Sequence, residues 1–201
     1  MRDADWSAEA AFLISPGRLA MRRRRPDDDL VIHALADNPA IAPNLCATIP
    51  ADGGEVLTIL DCHTGDIIGA ASHGPTGLGS GLEAALWIGE PYWGRGYGTE
   101  AAHALIDRAF NDELTAMLWC SNRVTNPRAR RVIEKCGFQF RGNGMVRLPG
   151  RGAFPIERFA LDRRNWQSLK MWGAGARAAR EHNGRVDGRC ETAAWNDTMR
   201  R

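Results

Sequence analysis

The sequence predicts an α/β domain, a mixed sheet with helices on both of its faces. Segments with strand and helix patterning follow one another in the order strand, helices, three strands, helix, strand, helix, strands. The strand Leu82–Ile88 runs through a glycine-rich turn into a segment where Ala102, Leu105, Ile106 and Ala109 recur at i, i+3, i+4 and i+7, one face of a helix. A second apolar run, Ala116–Cys120, precedes a short helix with its own start and stop signals.

A chain of 201 residues has room for one domain with a sizeable core. Residues 1–16 read as a lead-in, and Arg18–Arg22 alternates polar and apolar as a half-buried strand does. The run Arg22-Arg23-Arg24-Arg25 abuts Pro26-Asp27-Asp28-Asp29, whose carboxylates offset most of its charge, so it reads as a solvated strand end. Asp27–Ala36 is predicted helical, with aspartates at its positive end and Leu30, Val31, Ala34 and Leu35 as its apolar face. Pro39, Pro43 and Pro50 limit the following stretch to a short helix at most; His33 and Asn44 there are read either as structural residues or as substrate contacts. Val56–Leu60 and Ile67–Ala71 form a hairpin around His63-Thr64-Gly65-Asp66. Residues 74–81 are a glycine-rich loop, and after Phe138 a segment broken by Gly142, Gly144, Gly150 and Gly152 leads to a closing strand, Ile156–Leu161. One domain is assigned to residues 1–168, and residues 169–201 read as a largely irregular, mobile tail.

The formal net charge of +2 is too small to argue for nucleic acid or an acidic membrane. Cys46, Cys62, Cys120, Cys136 and Cys190 are odd in number and scattered, and the acidic N-terminal residues do not resemble a signal peptide. A reducing, cytoplasmic setting is expected. No apolar run approaches membrane-spanning length, and the dispersed histidines predict no metal site.

The candidate site is Trp87-Ile88-Gly89-Glu90-Pro91-Tyr92-Trp93-Gly94-Arg95-Gly96-Tyr97-Gly98-Thr99-Glu100. Its glycines stand between a strand end and a helix start, where unpaired backbone N–H groups and the helix dipole favour a phosphate. Arg95 adds a fixed positive charge. A P-loop is excluded because no Gly-Lys-Ser/Thr is present, and Gly94-x-Gly96-x-Gly98 is not the dinucleotide fingerprint. Taken alone, the turn reads equally as a phosphate cradle or as a strained corner. The second block, Asn126-Pro127-Arg128-Ala129-Arg130-Arg131-Val132-Ile133-Glu134-Lys135-Cys136-Gly137-Phe138, is a punctuated helix. Asn126 suits the N-cap, Pro127 the first helical position and Gly137 the left-handed residue past the end, with Ala129, Val132, Ile133 and Cys136 as the buried stripe.

With these two blocks in this order, the chain resembles the GCN5-related (GNAT) N-acetyltransferases, within them the RimJ/RimL-type branch, over roughly Gly17 to Trp166. The resemblance implies a mixed, mostly antiparallel sheet in which two central parallel strands, Leu82–Ile88 and Ala116–Cys120, splay apart to admit the pantetheine arm of acetyl-CoA. It implies that backbone groups of Trp87, Ile88 and Gly89 bond that arm. Trp93, Gly94, Arg95, Gly96, Tyr97, Gly98 and Thr99 would cradle the pyrophosphate, and Asn126 and Arg130 would reach the cofactor.

The activity implied is direct acetyl transfer to an amine, a protein N-terminus or a small molecule, with CoA as product. Three tasks then need groups: Glu90 is the candidate base, the Ile88 N–H the donor to the developing oxyanion, and Ser121, Cys120 or water the proton source for the thiolate. Ala129 and Ile133 stand where the family commonly has a serine and a tyrosine. The alternative reading is a non-catalytic acyl-CoA-binding module. No nucleic-acid or membrane partner is expected, and the chain is read as a monomer or a homodimer.

Overall fold

The computed structural model describes residues 13–14, 17–46, 54–75, 81–148 and 150–171. One eight-stranded sheet has the order β1-β2-β3-β4-β5-β6-β8-β7. Its strands are β1 (Leu13–Ile14), β2 (Leu19–Arg23), β3 (Glu55–Asp61), β4 (Ile67–Pro75), β5 (Leu82–Ile88), β6 (Met117–Arg123), β7 (Gln139–Leu148) and β8 (Gly152–Asp162). The helices are α1 (Asp29–Ala36), α2 (Tyr97–Phe110), α3 (Pro127–Lys135) and α4, residues 163–171. All neighbouring strands are antiparallel except β5 and β6. The mixed α/β architecture expected from the sequence is the one observed.

Side-chain alternation divides the helices between the two faces. On β3, Glu55 and Asp61 share one face, and α2 is tied to it: Arg108 Nε donates to Glu55 at 3.1 Å and Tyr97 Oη to Asp61 at 2.6 Å. Burial of Ala101, Ala102, Leu105, Ile106, Ala109 and Phe110 of α2 against Leu57, Ile59, Leu118 and Phe159 builds the main core there. Each fully buried large side chain contributes about 1.5–3 kcal/mol. Thr58, on the opposite face of β3, donates to Asp28 at 2.7 Å, and Arg22 bonds both oxygens of the same carboxylate at 2.6 and 2.7 Å. That buried knot anchors the start of α1 to the second face.

α3 is capped as expected: Asn126 Oδ1 accepts from the Ala129 N–H at 3.1 Å, and Gly137 takes φ 86°. Of its expected stripe only Cys136 is fully buried; Ala129, Val132 and Ile133 are half-buried, because α3 packs mainly on α2. Four expectations are corrected. Leu30, Val31 and Ala34 of the expected α1 face are exposed, and Ile32 is buried instead, one helical turn after the Asp28 that is tied to the sheet. Arg22, expected at a solvated strand end, is buried because it pairs with Asp28. The glycine-broken segment after Phe138 is the continuous ten-residue strand β7. Gly142 sits at a register shift with φ 139°, and a Cβ on Gly144 would come within 3.1 Å of Arg158 Nε. These glycines serve a bulge and a close packing contact, not a break. Helix α4, which the sequence reading missed, runs past Leu169. Trp166 stacks on Phe110 at 5.1 Å and donates to Asp107 at 2.8 Å, and Lys170 pairs with Asp107 at 2.8 Å. The remaining lead-in, Cys190, residues 76–80 of the glycine loop and the tail from residue 172 lie outside the described residues.

Candidate functional site

The parallel strands touch at one end only. β5 and β6 pair at Leu82↔Leu118 and Glu83↔Trp119, after which Ala84–Ile88 and Cys120–Arg123 run on with no pairing between them. The Gly89 N–H donates to Ile68 O at 2.7 Å. The alternation of a strand's hydrogen bonds then turns the backbone groups of Trp87 toward β4 as well, and those of Leu86 and Ile88 toward the gap. So of Trp87, Ile88 and Gly89 the gap receives only the Ile88 N–H, and Leu86 is the additional donor. The Ile88 carbonyl is already engaged by Trp93 Nε1 at 2.6 Å, which pins the turn to the strand end.

Beyond β5 the chain makes a 3-10 turn, Glu90–Tyr92, and enters α2 through two left-handed glycines, Gly94 (φ 78°) and Gly96 (φ 84°). The Trp93 N–H is spent on Glu90 O and the Thr99 N–H on Gly96 O, at 3.0 and 3.1 Å. Among the described residues the amides of Gly94 to Gly98 donate to nothing. Five successive free donors at a helix N-terminus, two on left-handed glycines, make an anion cradle. Tyr97 enters it through its backbone alone, since its ring is buried and its hydroxyl is bound to Asp61.

Arg18 braces this turn from the far end of the sheet. Its Nη2 donates to Arg95 O at 2.9 Å and to Glu100 at 3.1 Å, its N–H donates to Glu100 at 2.8 Å, and its guanidinium lies 4.6 Å over the Tyr97 ring. Glu100, which would otherwise repel an anion from the first turn of α2, is thereby partly neutralised. The Arg95 side chain is exposed. Gly98 brings α3 close, with Val132 3.9 Å from the position a Cβ would take. From α3, Arg128 reaches over the Trp93 ring at 5.0 Å. Arg130 is instead committed to Glu134 at 2.8 Å and to Glu157, and the Asn126 side chain caps the helix. The α3 guanidinium beside the glycine turn is therefore that of Arg128.

At the paired end of the gap, Ser121 Oγ donates to Glu83 Oε1 at 2.9 Å, linking β6 to β5. Cys46 lies beside them, its Sγ donating to Ser121 O at 3.3 Å, and burial followed by the Glu83 charge pushes its thiol up to about 11. Cys120 points to the opposite, helix-covered face, and burial raises its thiol well above the usual range. Both thiols stay protonated at neutral pH. Glu90 is exposed and accepts from Asn38 Nδ2 at 2.7 Å. The carboxylate that spans the two parallel strands is thus Glu83's.

The model of the acetyltransferase (GNAT) domain family matches residues 18–139, more than half of the chain. The chain belongs to this family. No curated protein sequence matches it. Among solved structures, an aminoglycoside acetyltransferase in complex with coenzyme A is 18% identical, with a TM-score of 0.62 over 76% of this chain and 99% of that one. A spermidine N-acetyltransferase from Vibrio cholerae, in complex with coenzyme A and spermine, is 17% identical, with a TM-score of 0.62 over 75% and 98%. A GNAT-family acetyltransferase from Bacillus anthracis is 16% identical, with a TM-score of 0.62 over 74% and 97%. At these identities the likeness establishes the fold.

Three groups of this GNAT domain escaped the sequence reading. Arg18 lies 82 residues from Glu100, and no local pattern announces that pairing. Glu83 stands in an apolar strand, and only the β5–β6 register brings it to Ser121. Arg128 shares its helix with Arg130 and Arg131, and only the ion pairs of Arg130 tell them apart.

Proposed function

We propose that this acetyltransferase moves the acetyl group of acetyl-CoA to an amine in a ternary complex, within the RimJ/RimL-type branch, the acceptor being a protein N-terminus or a small amine. The observation that carries the reading is the opening of β5 from β6 after two residue pairs, with a run of free amides where β5 ends. A pantetheine arm carries amides of its own that complement the exposed edge of β5, and a pyrophosphate complements the Gly94–Gly98 donors. Bound acetyl-CoA supplies an activated thioester. The Leu86 N–H, the gap-facing amide nearer Glu83, would donate to the thioester oxygen that gains charge as the amine adds, while the Ile88 N–H, about 16 Å along β5 from Glu83, would bond the arm. Glu83 takes the amine's proton, directly or through Ser121, whose hydroxyl it already holds. Arg128 and Arg95 supply positive charge near the cradle.

The non-catalytic alternative rests on Ala129 and Ile133, which bring no hydroxyl to α3. The Ser121–Glu83 pair favours catalysis, since it is a proton relay that simple binding does not require. Calorimetric titration with acetyl-CoA, on the wild type and on Gly96→Glu, tests the cofactor site. Binding by the first and none by the second is expected, and no binding by the wild type refutes the proposal. Thiol release with an amine panel then separates an enzyme from a binding module.

A further inference from the structure

Among the described residues, three buried side-chain donors have no hydrogen-bond partner: Trp119 Nε1, Arg123 Nε and Arg158 Nε. All three surround Ser121. Alternation along β6 puts Trp119, Ser121 and Arg123 on one face, and the β6–β8 register sets Arg158 directly opposite Ser121. This is the face of the Ser121–Glu83 pair, opposite to the one that α2 and α3 cover. Neither guanidinium forms a hydrogen bond or ion pair with any described residue.

Each guanidinium is nevertheless held in place. Arg123 lies 3.7 Å over the Phe154 ring, a stack that fixes its plane and leaves its edge donors unpaired. Arg158 lies against Gly144, so that a Cβ there would stand 3.1 Å from its Nε and 3.3 Å from its Cζ. Tryptophan and arginine side chains only donate, so what completes this cluster must accept. Native interiors rarely leave such donors unmet, and two preorganised guanidiniums with an indole N–H complement a planar carboxylate.

We propose that the acceptor is a small amine that itself carries a carboxylate, an amino-acid-like zwitterion rather than a polycation. This rests on the acetyltransferase reading above. The carboxylate sits on Arg123 and Arg158, and the amine faces Glu83. The neutral amine attacks, the new C–N bond forms as the thioester C–S bond breaks, the amine's proton goes to Glu83, and a proton passed on through Ser121 or water meets the departing thiolate, giving an N-acetylated acid and CoA thiol. A polyamine or an aminoglycoside would set positive charge against two arginines, so this specificity departs from what the names of the structural neighbours describe.

The test is a matched series of glycine, 4-aminobutyrate and 6-aminohexanoate, with 4-aminobutyramide and 1,4-diaminobutane as neutral and cationic counterparts. Thiol release is measured at saturating acetyl-CoA. A carboxylate member is expected to exceed the amide and the diamine in kcat/KM by roughly ten- to hundredfold, the scale of one or two charge-assisted hydrogen bonds. Arg123→Gln and Arg158→Gln are expected to erase that preference through KM, with acetyl-CoA affinity unchanged. Gly144→Ala, which displaces the Arg158 guanidinium, shifts it in the same direction. A diamine equal to or better than the acids overturns the proposal, whatever the variants do. Calorimetric binding of N-acetyl-4-aminobutyrate and N-acetylglycine to the CoA-loaded and free protein gives a second readout. Its absence together with no preference among the amines overturns the proposal, while failure of acetyl-CoA to bind at all overturns the acetyltransferase reading separately.

Discussion

Gly94, Gly96 and Gly98 look alike in sequence, but the structure separates their responses to a single methyl group. Gly94 and Gly96 hold φ values of 78° and 84°, where an L-residue costs about 1–2 kcal/mol. No steric term adds to this, since a Cβ on Gly94 meets nothing within 4 Å and one on Gly96 meets only Arg18 Nη2, at 3.5 Å. Gly98 lies inside α2 without a positive φ, and its added Cβ would make an ordinary 3.9 Å contact with Val132. Alanine there gains about 0.5 kcal/mol of helix propensity. For a domain of this size about 1 kcal/mol moves Tm by about 2–4 °C. Gly94→Ala and Gly96→Ala should therefore melt about 2–8 °C lower and Gly98→Ala slightly higher, by scanning calorimetry without ligand. Acetyl-CoA titration of the same proteins then reports the cradle: Gly98→Ala, though more stable, binds more weakly if phosphate oxygens approach that amide. A Gly96→Ala protein that melts like the wild type, beside a destabilised Gly98→Ala, would refute the argument.

Glu83→Gln should lower kcat/KM roughly 10²- to 10⁴-fold while leaving acetyl-CoA affinity intact, and Glu90→Gln should do neither, as thiol-release kinetics at several pH values will show. Burial alone would raise the Asp28 carboxyl, but bonds from Arg22, Thr58 and the Arg25 N–H outweigh it and hold the group at about 2, against 3.8 ordinarily. A carboxyl depressed on folding stabilises fully above its unfolded pKa. That stability is lost as pH falls from about 4 through about 2, so Asp28→Asn should flatten the wild type's acid limb in denaturation midpoints over that window. Removing Arg22 instead, as Arg22→Met, leaves a buried unpaired carboxylate and should cost about 3–5 kcal/mol at neutral pH by urea unfolding. Trp166→Ala removes the Phe110 stack and the Asp107 hydrogen bond and should cost about 2 kcal/mol, an expectation that the same urea titration checks.

Local chemistry made most of the elements legible. β5 spans the expected Leu82–Ile88, and the caps of α3 fall at Asn126 and Gly137 as their side-chain chemistry requires. What failed depended on distant partners. Gly142 and Gly144 read as breakers, because their reasons for being glycine are a bulge and the Arg158 side chain on the neighbouring strand. α4 was invisible because one aromatic stack, with one hydrogen bond and one ion pair to Asp107, fastens it, with no apolar stripe to give it away. In the site, the glycine turn could be read only beside the second block, residues 126–138, since alone it fits a strained corner equally well. Glu83, Arg18 and the three unmet donors around Ser121 became visible only once register placed the strands side by side.

The early parting of β5 from β6 also governs how the molecule responds to occupancy. Five strands on one side and three on the other share a backbone ladder of only two residue pairs. Elsewhere the joint relies on helices and side chains. A ligand lying in that gap is then a strut as well as a reactant, completing a ladder that the chain leaves unfinished. At a hundredfold excess over its dissociation constant it adds about 2.7 kcal/mol to stability. The same occupancy should slow hydrogen exchange at the Leu86 and Ile88 amides, so that the resting and loaded protein differ in stiffness along the line where acetyl transfer would take place.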